Sequence, residues 1–118
     1  MHHTQNKNLA ECIEICGECR DECHDILFNH CLEKGGKFAE KEHIKLLVDC
    51  IQACQTAEGF MKRDSTLYAA ECAVCAEVCD ACAVSCERIG GEELKRCAEA
   101  CRRCAQSCRD VGKMKKAA

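Results

Sequence analysis

The sequence of 118 residues contains no proline and no tryptophan, and its aromatic residues are three phenylalanines and one tyrosine. So few aromatic residues and no proline disfavour a sheet-rich or loop-rich fold. Long apolar runs are also missing, so no stretch reaches the length needed to cross a bilayer. The opening residues, MHHTQNKNLAEC, lack the apolar core and small-residue cleavage site of a secretory signal. This predicts a cytoplasmic chain. Charge of one sign is not in excess, since 17 basic and 20 acidic side chains leave a net charge of −3. No basic stripe for nucleic acid and no cationic amphipathic segment for a membrane results.

What the chain has is cysteine, 16 residues of it. Such a content in a secreted chain would mean a disulfide scaffold, but in the cytosol thiols stay reduced and clustered cysteines more often bind metal. The glycine pairs Gly35-Gly36 and Gly90-Gly91 and the break at Arg63-Asp64-Ser65 divide the chain into four segments, residues 8–34, 37–63, 66–89 and 92–111. Gly112 closes the last before a basic tail of Lys113, Lys115 and Lys116. Each segment is rich in good helix formers. Asn8 and Glu11 have the spacing of a capping box, and Glu92 and Glu93 suit the start of a helix. Short connections make successive helices antiparallel neighbours, so the expected fold is a single all-α domain, an up-down-up-down four-helix bundle.

The cysteines fall on one face of every segment: Cys12, Cys16, Cys19 and Cys23 on the first, Cys50 and Cys54 on the second. Cys72, Cys75, Cys79, Cys82 and Cys86 follow on the third, and Cys97, Cys101, Cys104 and Cys108 on the fourth. At about 100° per residue each set lies within an arc of about 80°. That spacing is the pattern by which bundle helices face a shared core, so the sulfurs point inward. Cysteine can act as a small buried hydrophobe, but a core of Cys, Ala and a few Val is too small to close tightly. Disulfides are the other simple reading, yet pairs four apart on one helix close only a loop that the helix already closes.

Buried thiolates need compensating charge. Sixteen of them would be half neutralised by about four zinc ions in four-thiolate sites, and fully neutralised by one monovalent cation per sulfur. Soft sulfur selects Cu(I) for that role. Zinc knuckles and the ferredoxin run ending in Cys-Pro are absent. Nothing pairs a nucleophile with an oriented base, so no enzymatic role is expected. A zinc or mixed-metal buffer, or an iron–sulfur or thiol redox protein, is the alternative reading.

The repeated Cys-x3-Cys and Cys-x2-Cys pairs from Glu11 to Cys108 resemble those of the bacterial copper storage proteins, specifically their leaderless cytosolic branch. The resemblance implies a four-helix bundle, commonly a homotetramer, that fills with many Cu(I) ions through one open end for storage or detoxification. It implies the stripe cysteines as ligands, matched position by position. A copper chaperone is a possible partner. The cytosolic members have a His-rich segment before helix four, whereas this chain reads Arg88-Ile-Gly-Gly-Glu-Glu-Leu94 there.

On the helical wheel His30 falls at the angle of Cys12, and His43 lies within about 20° of Cys50. Both flank the Gly35-Gly36 turn. His30, Cys31 and His43 are therefore expected to form the site through which copper enters, although Cys31 lies about 90° off the stripe. Met61 continues the stripe of the second helix at the opposite end, as a thioether ligand or as core filler. His24 points away from the stripe, and His2 and His3 belong to the N-terminal tail. Apolar residues surround much of helix three, including Val74, Val78 and Val84, which predicts self-association.

Overall fold

The computed structural model describes residues 7–117. Four long helices run through it: α1 (Lys7–Ile26), α2 (Lys41–Lys62), α3 (Tyr68–Ile89) and α4 (Glu92–Ala117). Between α1 and α2 the chain makes a π-helical turn, Leu27–Cys31, a short helical turn, Leu32–Lys34, and a 3-10 turn, Gly36–Ala39. Among the described residues there is no strand. His2 and His3 lie outside the described residues.

Each helix packs on its neighbours in sequence, and α1 closes the ring against α4. Contacts across the bundle fix the direction of each pair. Going up α1 the partners go down α4: Cys12 and Cys16 approach Cys108, Cys19 approaches Cys101, and Cys23 approaches Cys97. Cys50 and Cys54 of α2 meet Cys79, and Cys54 also meets Cys75, while His43 reaches Ser85. Arg20 meets Glu58 while Cys31 meets His43, and Glu87 and Asp80 meet Arg102 and Arg109, so all helix pairs in the ring are antiparallel, and the molecule is a tube of 49 × 20 × 19 Å.

The glycine turns work as the sequence suggests. Gly35 and Gly90, at φ +70° and +90°, stop α1's extension and α3 in backbone conformations that a Cβ disfavours. Two details depart from expectation. Asn8 is not a cap but a residue within α1, its side-chain amide donating to Met114 Sδ at 3.5 Å. Gly112 does not end α4, which runs on to Ala117. A glycine inside a helix costs only about 1 kcal/mol against alanine, and here its bare face lies beside the Ala69 carbonyl of α3.

Gly17, inside α1, has a packing reason: a Cβ there would stand 3.1 Å from Glu58 Oε2. The space admits the largely buried Glu58 carboxylate, which accepts from Arg20 across the α1–α2 seam. On the α3–α4 seam Arg102 donates to Glu87 at 2.9 Å and Arg109 to Asp80 at 2.8 Å. These exposed pairs set register more than stability.

Candidate metal centre

All 16 cysteines are free and buried, none more than 1% exposed. With the Cα–Cβ bonds of one face of each helix aimed inward, the sulfurs form a continuous column along the tube axis. From the end where α1 begins, Cys12 and Cys108 are 3.8 Å apart, followed by Cys16, which lies 3.6 Å from both Cys104 and Cys108. Cys54 joins Cys79 and Cys104, each at 3.8 Å. Cys50 stands 3.7 Å from Cys79 and Cys23, and 3.8 Å from Cys19 and Cys101. Cys23 then reaches Cys97 at 3.7 Å.

A metal–sulfur bond of about 2.3 Å would set neighbouring sulfurs about 3.8 Å apart around a tetrahedral ion and about 4.0 Å apart around a trigonal one. The column already has those spacings, so ions can enter with small shifts of side chains. Four groups of four sulfurs lie within 4.8 Å of one another: Cys16, Cys75, Cys104, Cys108; Cys19, Cys50, Cys54, Cys79; Cys19, Cys23, Cys50, Cys101; and Cys54, Cys75, Cys79, Cys104. They draw on only ten cysteines, and no more than two of the groups can be filled without sharing a sulfur. Closed tetrahedral sites, each with its own four ligands, would therefore leave half of the 16 sulfurs unused. Bridging sulfurs and low-coordinate ions use all of it.

Without cations the column resists complete ionisation. The Cys108 thiol, by hydrogen bonding, holds Cys12 well below the ordinary thiol range. Cys108 itself is pushed above that range, by Cys104 first and then by Cys12 and Cys16. One proton lost makes its neighbours harder to ionise, so the column charges fully only as cations replace protons.

Large apolar side chains occupy the two ends. Leu9, Met61, Tyr68 and Val111 are buried at the end where α1 begins and α4 finishes, the far end. Ile26, Leu27, Leu47, Ile89 and Leu94 are buried at the opposite one, which carries both glycine pairs and is the loop end.

Of the candidates beyond the stripe cysteines, His43 is completely buried at the loop end, and burial lowers its pKa, so the ring is neutral. Its Nε2 lies 3.5 Å from Cys31 Sγ and its Nδ1 2.7 Å from Ser85 Oγ. Cys31 is also completely buried, and desolvation pushes its thiol up to about 11. The angular placements of His30 and Cys31 need correction. The π turn at Leu27–Cys31 takes up one extra residue, so everything after it rotates by about 100°. Cys31 thereby takes the core position that His30 would hold on an uninterrupted helix. His30 is left at the rim, edge-on to Phe38 and 3.9 Å from Glu93 Oε1. His24 is exposed, stacked obliquely on Phe28. Ser85, buried and bonded to His43, was not singled out from the sequence; its place three residues after Cys82, in step with the stripe, was the available signal.

The sequence matches the family described as copper storage protein over residues 5–113. A crystal structure of the Nmul_A1745 protein from Nitrosospira multiformis is 42% identical, with a TM-score of 0.87, covering 92% of this chain and 98% of that one. The Cu(I)-bound copper storage protein BsCsp3 is 31% identical, with a TM-score of 0.84, over 90% of this chain and 99% of that one. Apo-Csp3 from Bacillus subtilis is 33% identical, with a TM-score of 0.79, over 87% and 97%.

Proposed function

The chain belongs to the copper storage protein family, and from that premise we propose that it stores many Cu(I) ions on the thiolates of its core. The observation that carries this reading is the unbroken sulfur column, whose overlapping groups of four suit shared, low-coordinate ions. A Cu(I)-bound relative with the same fold supports it. The ligands are Cys12, Cys16, Cys19, Cys23, Cys50, Cys54, Cys72, Cys75, Cys79, Cys82, Cys86, Cys97, Cys101, Cys104 and Cys108. Each ion that enters displaces thiol protons, so loading weakens as pH falls. Binding and storage, rather than catalysis, is the role.

Copper enters at the loop end, where Cys31 and His43 lie between the column and the turns. Met61 acts at the far end as an apolar plug. The cytoplasm is the compartment, since sulfurs this close would cross-link where oxidants prevail. The homotetramer is supported by exposed Val48, Leu67, Val74 and Val84, apolar surface that a bundle alone does not cover. No helix among the described residues is long and apolar enough to cross a membrane. A copper chaperone is the natural donor or acceptor.

X-ray absorption on the loaded protein tests the ligand set. A first shell made almost wholly of sulfur, with copper neighbours beyond it, is expected. A first shell of nitrogen and oxygen would overturn the reading.

A further inference from the structure

The loop end contains the only imidazole that reaches the core among the described residues. Its surroundings are specific. His43, on the first turns of α2, presents Nε2 to Cys31 and Nδ1 to Ser85, which projects from α3 one turn before its end. All three side chains are buried, so none of these contacts competes with bulk water. Cys31 is there because the backbone departs from α-helical geometry over Leu27–Cys31, a device often found at functional sites.

We propose that Cys31 and His43 form a mixed thiolate–imidazole site for a single soft metal ion, and that Ser85 is the positioning residue that orients His43 for it. This rests on the reading that the column holds Cu(I). An ion at about 2.0 Å from nitrogen and 2.3 Å from sulfur, with those atoms 3.5 Å apart, subtends an angle of about 110°. The spacing of the pair therefore suits an ion after a small rotation of the two side chains, and a bent pair leaves room for a third ligand. The stripe ends on this side of the tube with Cys86 and Cys97, so the third ligand is drawn from the top of the column.

Ser85 decides which nitrogen is free. A neutral imidazole has one donor and one acceptor nitrogen. With Ser85 Oγ accepting from Nδ1–H, the lone pair of Nε2 faces Cys31, whose thiol donates to it until metal arrives. Binding then removes one proton, from the Cys31 sulfur, and changes no tautomer. Metal-bound imidazoles commonly donate their second N–H in this way, and losing such a partner typically weakens a site by about 10–100-fold. A mixed site binds a soft ion less firmly than an all-sulfur one, which suits a transfer position between the exterior and the column.

The test is nitrogen-15 NMR of the histidine rings in the full-length protein during anaerobic Cu(I) addition, on the wild type, Ser85→Ala and Ser85→Thr. In the wild type His43 is expected as the Nδ1–H tautomer, and Nε2 is expected to shift strongly on loading while Nδ1 keeps its proton. Ser85→Ala should populate the other tautomer and slow uptake by about tenfold; Ser85→Thr, which keeps the hydroxyl, should restore both. An Nε2 signal unmoved through full loading overturns the site. Unaltered tautomer and uptake rate in Ser85→Ala overturn the role of Ser85. Copper uptake by the wild-type column is read in the same titration, and its absence would instead defeat the storage reading.

Discussion

The two ends of the tube are built from different chemistry. At the far end Leu9, Met61, Tyr68 and Val111 bring carbon, one thioether and one phenol to the axis. At the loop end five aliphatic side chains share the space with Cys31, His43 and Ser85, three buried polar groups joined by hydrogen bonds. Buried polar groups cost stability unless paired, and an aliphatic plug would have served packing alone. In the proposed function, one end closes the column and the other exchanges cargo. Between them, cysteine and alanine leave the sulfurs as the main contents of the interior.

That contrast is open to attack from both sides, and the largest effect belongs to the far end. Tyr68→Ala removes a large side chain that is only 6% exposed, and urea unfolding should report a loss of about 3 kcal/mol or more. It should also quicken copper uptake by opening a second mouth; a stable variant with unchanged uptake would mean that Tyr68 is no plug. At the loop end, His43→Leu keeps the interior filled but removes the nitrogen. Stopped-flow loading should slow by about tenfold, or about 1.4 kcal/mol in barrier height. An uptake rate equal to wild type would make the two ends equivalent.

Met61→Leu conserves volume, so stability should change by less than about 1.5 kcal/mol, with copper content and loading rate as in wild type. Loss of one equivalent on elemental analysis would instead make Met61 a ligand and the far end a binding site. The smallest effect is that of His30→Ala. The ring sits at the rim, 3.9 Å from the Glu93 carboxylate, and thermal unfolding should shift by less than about 0.5 kcal/mol. A loading defect as large as that of His43→Leu would place His30 in the copper path.

The bundle and the sulfur stripe were legible because both follow from one periodicity. Spacings of three and four residues locate each stripe cysteine on the inner face of a straight α-helix, and the glycine pairs mark where the chain reverses. The loop-end site was half legible for the same reason. His43 stands on an unbroken helix and its angle could be read directly. Cys31 and His30 follow a π turn, and no residue among Leu27–Cys31 announces the extra residue in that turn, so the wheel exchanged their roles. Ser85 becomes informative only once α2 is docked on α3, a tertiary fact. Likewise Asn8 had the capping pattern without the position, because α1 already includes Lys7 and Asn8.

The most direct measurement is the capacity of the reduced protein under anaerobic conditions, titrated with Cu(I) and separately with Zn(II) against competing chelators. Cu(I) uptake should pass about eight equivalents and rise toward about one per cysteine, well above that of zinc. Saturation of both metals at about four equivalents or fewer would show isolated tetrahedral sites in place of a shared column, and would contradict copper storage.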